Sequence, residues 1–247
     1  MLHLAGVSRH FNHDVVALNG ITTHIDRGEF VALLGPSGCG KSTLLRILAG
    51  LDQPDDGSLI WDNGARPNPG DIGFVFQDAT LLPWASAEEN VFLPLRLAGK
   101  SFDQVRPAVR ATLARLGLAG FEQTKPAALS GGMRMRVSIA RALVSHPKLL
   151  LMDEPFAALD EFTRHRLQDD LHDLWREAHT TVVFVTHSIY EAAYLASRIL
   201  VMTPRPGRIA AEIPCHLPET AARRTTAAYA SLTAQITETL HAVMPPC

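Results

Sequence analysis

Nine consecutive residues from Gly35 combine glycines, hydroxyl side chains and one lysine, a composition suited to holding phosphate groups. Glycines let backbone N–H groups approach an anion closely, and a helix that starts after such a loop directs its positive end toward it. Lys41 would place a point charge on the outer phosphates, and Ser42 would offer a hydroxyl to Mg²⁺. A chance glycine-rich turn is the alternative. The predicted phosphate-binding residues are Gly35, Pro36, Ser37, Gly38, Cys39, Gly40, Lys41, Ser42 and Thr43.

Two carboxylates follow the apolar run at residues 149–152, at the kind of strand end where open parallel sheets bind ligands. Asp153 would hold Mg²⁺, directly or through water. Glu154 would accept a hydrogen bond from the water that attacks the terminal phosphate, and so orient it. Two solvated acids at a strand end are the alternative, which the lysine and hydroxyl of the loop at Gly35 disfavour.

Two further strand ends carry polar side chains. Gln77 follows the apolar residues 74–76, and its amide could reach the metal or the attacking water. His187 follows residues 181–186, and its imidazole could bond the terminal phosphate or the water from the far side. For either residue alone, an ordinary strand-end side chain is the alternative.

The sequence Ser130-Gly131-Gly132 opens a predicted helix and has two interpretations. A serine at a helix start caps the first N–H groups, and the same helix start with two glycines can bind phosphate. The loop at Gly35 would already hold the phosphates of one nucleotide. A second phosphate-binding helix start therefore suggests that the site is completed by another molecule.

The elements that must position these residues alternate between strands and helices. Strand–helix–strand order implies parallel strands covered by helices. The predicted strands are residues 31–34, 59–61, 72–76, 149–152, 181–185 and a closing pair at 199–202 and 208–210. The predicted helices are residues 42–49, 102–116, 131–145, 162–178 and a tail helix within 219–243.

The tail helix has a single apolar stripe, which favours packing on its own domain over a partner site. The stripe consists of Tyr229, Leu232, Ile236, Leu240 and Val243. We therefore divide the chain into an α/β core, an inserted helical subdomain and a helical tail. These are residues 1–77 with 148–215, residues 78–147, and residues 216–247.

Composition limits the class of protein. The 247 residues are 47% hydrophobic with a formal net charge of −2, which fits a globular protein and gives no basic footprint for nucleic acid. The three cysteines and eleven histidines are scattered, which predicts neither a disulfide framework nor a metal cluster. The sequence has no transmembrane-length apolar stretch and no signal-peptide pattern at its start, so we expect a soluble protein whose membrane role needs a partner.

Taken together, the motifs resemble the ATPase subunit of ABC transporters, over essentially residues 1–215. The resemblance implies a P-loop NTPase (RecA-like) α/β core with a mixed sheet and an inserted α-helical signature subdomain, and it implies ATP and Mg²⁺ as cofactors. The sequences that carry it are Leu129-Ser130-Gly131-Gly132 with Arg134, Met152-Asp153-Glu154-Pro155, Ala157-Ala158-Leu159-Asp160 and Thr186-His187.

The resemblance also implies a head-to-tail homodimer. Each ATP would lie between the phosphate loop of one chain and Ser130-Gly131-Gly132 of the other. Asp160 would take part in coupling across that dimer. Phe11 is the best match for the aromatic residue that stacks on adenine, since stacking needs only the face of a ring.

Further roles follow from the same resemblance. Glu154 would be the catalytic carboxylate, His187 the switch histidine and Gln77 the residue that senses Mg²⁺ and the partner. Met133 and Met135 stand where relatives commonly have glutamine, but they do not replace the residues expected to contact phosphate. The implied metal ligands are Ser42, Gln77 and Asp153.

Within the family, the sequence is most similar to import ATPases of the nitrate, sulfonate and taurine group, at residues 152–160, 167–169, 185–192 and 203–209. This implies a peripheral subunit on the cytoplasmic side of the inner membrane, a permease partner and, indirectly, an extracytoplasmic solute-binding protein. The alternatives are a non-transport ABC ATPase acting on nucleic acid or ribosomes, and a binding module with a dead nucleotide site. The single cassette and the net charge disfavour the first, and the complete set of motifs disfavours the second.

Two expectations concern single segments. Residues 78–84 are unusually apolar for a loop, so we expect the permease to dock near Leu81, Leu82 and Trp84, with local core packing as the alternative. Cys39 lies close to a helix N-terminus, which can lower the pKa of a thiol. We therefore expect alkylation of Cys39 to block ATP binding, with an inert small residue as the alternative.

Overall fold

The computed structural model describes residues 1–11, 15–62, 64, 67–218 and 222–244. Contacts divide the chain into a first unit, Met1–Arg66 with Thr181–Cys247, and a second unit, Pro67–Thr180. The elements in chain order are β1 (Leu2–Phe11), β2 (Val15–Ile25), β3 (Phe30–Leu34), α1 (Lys41–Ala49), β4 (Asp56–Trp61), β5 (Ile72–Val75), α2 (Ala87–Leu97), α3 (Phe102–Arg115), α4 (Gly131–Leu143), β6 (Leu149–Asp153), α5 (Glu161–Ala178), β7 (Thr181–Thr186), α6 (Ile189–Leu195), β8 (Arg198–Met202), β9 (Ile209–Pro214) and α7 (Ala227–Val243).

The first unit contains a small antiparallel sheet in the order β2-β1-β4. Leu2 and Leu4 of β1 are buried while His3 and Ala5 between them are exposed, the alternation of a strand with one covered face. The alternation breaks after Leu4, where the pairing of β1 with β2 shifts register. The break explains why periodicity alone did not predict this strand.

The first unit also contains the strands that carry the phosphate loop. Strand β3 lies between β7 and β8 and is parallel to both, and β9 pairs with β8 in the antiparallel direction. All five residues of β3 are buried, as expected for a parallel strand covered on both faces. Helices α1, α6 and α7 pack against β7, β3 and β8 respectively. The parallel strands and the closing antiparallel pair confirm the predicted mixed sheet.

The second unit contains the parallel pair β5 and β6 and four α-helices. Helix α4 packs against α2, α3, α5 and β5. The carboxylate of Glu88, on α2, is buried and accepts hydrogen bonds from Arg106 at 3.0 Å, from Arg110 at 2.9 Å and from Gln123. Glu88 thereby ties α2 to α3 and to the loop that follows α3.

Most of the predicted elements are present with similar bounds, the tail helix differs in its extent, and one helix was not predicted. The tail helix starts at Ala227, and residues 219–221 of its predicted span lie outside the described part of the chain. Four members of its apolar stripe are buried, while Val243 is only half-buried. Helix α2 was not individually predicted, because Pro94 interrupts its pattern.

The two units partition the chain differently from the predicted domains. Sequence pattern places boundaries where helices replace strands, after residues 77 and 147, whereas the units separate after residues 66 and 180. The domain boundaries at 77 and 147 stay a prediction. In the described residues, no helix combines the length and apolar character needed to cross a membrane.

Candidate nucleotide site

The phosphate loop connects β3 to α1 and encloses its own lysine. The Lys41 side chain is only 4% exposed, and its ammonium donates to the carbonyls of Gly35 at 2.8 Å and Pro36 at 2.9 Å. The positive charge therefore lies inside the curve of the loop. This is where a phosphate-bearing ligand would meet it.

Gly40 fixes the point at which α1 begins. Its φ is +104°, and a Cβ at this position would lie 2.7 Å from the carbonyl oxygen of Ala17 and from a methyl carbon of Leu18. Only glycine fits both the backbone angle and the space. The first helical bond joins the N–H of Leu44 to the carbonyl of Gly40, so the N–H groups of the preceding residues point out of the helix end toward the loop.

Cys39 does not have the environment of a reactive thiol. Its side chain is buried, and burial raises the pKa of the thiol, even though the nearby charge of Lys41 acts in the opposite direction. The expectation of a lowered pKa is therefore wrong. Loss of solvation outweighs the helix end and the lysine, and the structure supports the inert interpretation of Cys39.

His187 follows β7 directly and is exposed. In the parallel pairing of β3 and β7, Leu34 lies opposite Thr186, so Gly35 and His187 leave neighbouring strands at the same edge. Thr186 donates its hydroxyl proton to Glu191 at 2.5 Å and accepts the N–H of Ser188 at 3.0 Å.

Thr186 and Glu191 are both buried, and the sequence analysis gave neither of them a role. Ser188 caps α6 by accepting the N–H of Glu191, and the serine-to-glutamate spacing of a capping box was the available signal. These bonds fix the turn on which the His187 imidazole is mounted.

Phe11 ends β1 and presents an aromatic ring that is 40% exposed. The guanidinium carbon of Arg9 lies 5.0 Å from the centre of that ring. Arg9 is itself held by carboxylates of Asp52 at 2.9 Å and Asp55 at 2.7 Å. Arg9 thus supports the ring of Phe11 in the first unit, and the exposed surface of that ring is suited to stacking on a flat base.

In the second unit, Gln77 and the two carboxylates follow neighbouring parallel strands. Val75 of β5 lies opposite Met152 of β6, so Gln77 and Asp153 emerge at the same edge. Asp153 is buried and ends β6. Glu154 has φ +46°, a left-handed conformation that costs a residue with a side chain about 1 kcal/mol or more. The chain therefore bends directly after β6, at the second of the two carboxylates.

The signature sequence begins α4. Ser130 caps the helix by accepting the N–H of Met133 at 3.2 Å, and Ser130 and Gly131 are exposed. A Cβ at Gly132 would lie 2.6 Å from a methyl carbon of Thr163, so packing inside the unit requires this glycine. A Cβ at Gly131 would have its nearest neighbour at 3.9 Å, on Arg134. Packing among the described residues therefore does not explain Gly131.

Asp160 caps α5 in the same unit. Its carboxylate accepts the N–H of Thr163 at 2.9 Å, and this hydrogen bond holds the pKa of Asp160 below its usual range. The side chain is exposed and charged at neutral pH. It can therefore act on a neighbouring molecule only as an anion.

The segment after Gln77 has a rigid base and an exposed tip. Trp84 is 70% exposed, whereas Leu81 and Leu82 are half-buried. The fully buried amide of Asn90 accepts the N–H of Leu82 at 2.7 Å and donates to three carbonyls of residues 82–86. Arg141 of α4 donates to the carbonyls of residues 79 and 80 at 3.2 and 2.9 Å. The indole of Trp84 does not belong to the core.

Comparison with known proteins agrees with this picture. The family model described as "ABC transporter" matches residues 18–157. The aliphatic sulfonates import ATP-binding protein SsuB of Bacillus cereus is 45% identical over 217 residues, which cover 86% of this chain and 85% of that protein. The nitrate import ATP-binding protein NrtD of Synechocystis is 45% identical over 205 residues, which cover 83% of this chain and 77% of that protein. A solved dimeric ATP-binding cassette in a post-hydrolysis state, bound to ADP and Pi, has a TM-score of 0.77 and 36% identity, and the match covers 87% of this chain and 99% of the other.

Proposed function

This chain belongs to the ABC transporter family of ATPases, and we propose that it is the ATP-hydrolysing subunit of an importer for a small solute of the nitrate, aliphatic sulfonate or taurine type. The observation that carries the catalytic part is the enclosed ammonium of Lys41, 2.8 and 2.9 Å from two loop carbonyls at the start of α1. The importer part is supported by relatives named for sulfonate and nitrate import.

The proposed ligands of Mg²⁺ are oxygen atoms of Ser42, Gln77 and Asp153. A hydroxyl, an amide carbonyl and a carboxylate are hard donors, which is the donor set that Mg²⁺ prefers, so these residues fit the ion. When bound, Mg²⁺ neutralises charge that develops on the phosphates. The backbone N–H groups at the start of α1 would bind the same phosphates, and the ring of Phe11 would stack on the adenine.

Hydrolysis requires a group that orients the attacking water. Glu154 would accept a hydrogen bond from that water, and it stands at the strained backbone position that directly follows β6. His187 would bond the terminal phosphate or the water from the end of β7. Gln77 would report Mg²⁺ and the bound partner to the segment that follows it.

The exposed helix start at Ser130 and Gly131 supports a head-to-tail homodimer. Since no packing contact in the described part of the chain requires glycine at position 131, we assign that requirement to the nucleotide of a second copy. The ATP of each site would then join the phosphate loop of one chain to the signature helix of the other. Asp160, close in sequence to Glu154, would act across the same interface. Hydrolysis would release the closed dimer.

The transport part of the proposal places the subunit peripherally on the cytoplasmic side of the inner membrane. The exposed indole of Trp84, with Leu81 and Leu82 beside it, would dock on the permease. Asn90 and Arg141 hold the base of this segment, so closure of the dimer would reach the permease as a rigid-body motion. A solute-binding protein outside the membrane would act only through the permease.

The test is gel filtration of Glu154→Gln with and without Mg-ATP, beside the unmodified chain. We expect an ATP-dependent shift to a dimer that Ser130→Arg abolishes, and phosphate release by the unmodified chain that Glu154→Gln lacks. A Glu154→Gln chain that stays monomeric with ATP, even with the permease present, would overturn the dimer mechanism. Phosphate release that persists at the unmodified rate would remove Glu154 from its proposed role.

A further inference from the structure

The loop between β8 and β9 lies directly against the phosphate loop. This loop, residues 203–208, is closed by its own hydrogen bonds. The Thr203 hydroxyl donates to the carbonyl of Pro206 and accepts the N–H of Arg208, and the N–H of Thr203 donates to the carbonyl of Arg208, all at 2.9 Å. The β8–β9 loop is therefore a compact turn rather than a loose connection.

Two contacts join the β8–β9 loop to the phosphate loop. Arg205 donates from Nε at 3.2 Å and from Nη2 at 3.0 Å to the carbonyl oxygen of Gly38. Gly207 is buried, and a Cβ on it would lie 2.1 Å from the carbonyl oxygen of Cys39. The β8–β9 loop thus touches two consecutive carbonyls of the phosphate loop. The guanidinium of Arg205 donates to the carbonyl of Gly38, and the carbonyl of Cys39 lies in the space that a side chain at position 207 would occupy.

Strand β2 holds the β8–β9 loop in place from the other side. The N–H of Gly207 donates to the carbonyl of Ala17 at 3.0 Å, and the N–H of Asn19 donates to the carbonyl of Gly207 at 3.0 Å. Ala17 is also the residue whose carbonyl excludes a side chain at Gly40. The β8–β9 loop, β2 and the phosphate loop therefore form one packed assembly in the first unit.

The guanidinium acts on the peptide that follows Gly38 in the phosphate loop. Gly38 has φ +74°, and glycine leaves its flanking peptides free to rotate. In a trans peptide the C=O and the following N–H point in opposite directions, so fixing the carbonyl of Gly38 also fixes the N–H of Cys39. That N–H points back into the loop, 3.4 Å from the carbonyl of Pro36.

We propose that the β8–β9 loop sets the conformation of the phosphate loop and that Arg205 is a positioning residue for nucleotide binding. Two donors from one planar group on one carbonyl hold the Gly38–Cys39 peptide in the orientation that turns its N–H toward bound phosphate. Arg205 acts through the backbone of Gly38 and touches neither the nucleotide nor the reacting atoms. The inference rests on the proposed ATPase function and adds to it a role for the β8–β9 loop, which that function leaves without one.

The experiment compares Arg205→Gln, Arg205→Lys and Arg208→Gln in the full chain. Mg-ADP affinity is measured by calorimetry, and KM and kcat for Mg-ATP by phosphate release. Because Arg205 is exposed, its replacement should leave the melting temperature nearly unchanged. We expect Arg205→Gln to weaken Mg-ADP binding and raise KM by roughly five- to tenfold, with kcat within about twofold.

The other two variants separate geometry from charge. Arg205→Lys keeps the charge but loses the planar fork, so we expect it to lose most of the affinity that Arg205→Gln loses. Arg208→Gln removes an exposed charge from the same loop, and we expect wild-type affinity. Unchanged affinity in Arg205→Gln, full affinity in Arg205→Lys, an equal loss in Arg208→Gln, or a fall in kcat alone would each overturn the proposal.

The unmodified chain and Lys41→Ala distinguish this inference from the function on which it rests. If the unmodified chain does not bind Mg-ADP, or if Lys41→Ala binds it equally well, the nucleotide function itself fails. If the unmodified chain binds and Lys41→Ala does not, while the Arg205 variants bind normally, only the role of Arg205 fails.

Discussion

The phosphate loop and the signature helix both depend on glycine, but for opposite reasons. At Gly40 and Gly207, an added Cβ would lie 2.7 Å or less from backbone of the same unit. At Gly131, the nearest atom would be 3.9 Å away and at the end of a flexible side chain. The phosphate loop is packed against backbone of its own unit, whereas the start of the signature helix is open.

This difference separates what each region can do alone. A loop whose peptides are fixed by neighbouring backbone is preorganised, so it can bind phosphate without a partner. An exposed helix start with an unexplained glycine offers N–H groups to a ligand that arrives from outside. The first region is therefore expected to bind nucleotide in the monomer, and the second to act only in an assembly.

The largest difference between the two regions should come from substituting alanine for Gly40 and for Gly131. Gly40→Ala forces a side chain into a left-handed backbone and against the carbonyl of Ala17, so we expect Mg-ADP affinity to fall at least about 100-fold. Gly131→Ala fits its space and favours a helical backbone, so monomer affinity should stay within about twofold and thermal stability should not fall. The measurements are calorimetry and thermal unfolding.

In the ATP-dependent dimer, unlike the monomer, Gly131→Ala should have a large effect. Placed in the Glu154→Gln chain, Gly131→Ala should abolish the ATP-dependent dimer while nucleotide still binds. Were Gly131→Ala to weaken Mg-ADP binding as strongly as Gly40→Ala, or to leave the dimer intact, the contrast between the two regions would be lost.

The sequence could predict the elements whose pattern of apolar residues is uninterrupted. Strand β3 and helix α5 match their predicted spans closely, since one is an unbroken apolar run and the other has regular helical spacing. Strand β1 and helix α2 were missed because a register shift and Pro94 interrupt their patterns. The capping box from Ser86 to Glu89 was a local signal for α2 that periodicity does not use.

In the candidate site, too, local patterns could be predicted from the sequence, whereas contacts between distant residues could not. Phosphate chemistry restricts which residue types can stand in the loop at Gly35, so the sequence alone could predict which residues would bind phosphate. Arg205 contacts a residue 167 positions away, and no local pattern contains such a pairing. The error at Cys39 has the same origin, because the helix end is a local feature whereas the burial that raises the thiol pKa comes from the tertiary fold.

A smaller contrast lies within the second unit, between Trp84 and the residue that supports its segment. Asn90→Ala removes hydrogen bonds to buried backbone, so we expect a loss of about 2–3 kcal/mol in the free energy of unfolding. Trp84→Ala should change it by less than about 0.5 kcal/mol, because the indole is 70% exposed. Urea denaturation measures both.

Only Trp84→Ala should act on the permease while the fold stays intact. In a pull-down with the permease, we expect it to lower the recovered amount, while Phe162→Ala, at another aromatic side chain that is 78% exposed, should not. Full affinity of Trp84→Ala for the permease would remove this residue from the docking surface.

The smallest expected effect is a pH dependence of the scaffold beneath that segment. Burial alone would raise the pKa of Glu88, but hydrogen bonds from Arg110, Arg106 and Gln123 outweigh it and hold the pKa below its usual range. A carboxylate with a lowered folded-state pKa contributes stability that is fully present above its unfolded value of about 4.3 and is lost as the pH falls through the folded value. Glu88→Gln should therefore cost roughly 1 kcal/mol at pH 7, and the difference from the unmodified chain should shrink below about pH 4. Urea midpoints between pH 7 and 3 measure this, with Glu161→Gln, at an exposed acid of the same unit, as the control. A gap that stays constant over this range would show that Glu88 stabilises α2 through shape and neutral hydrogen bonds instead of charge, and the rigid support of the exposed docking tip would then be insensitive to acid.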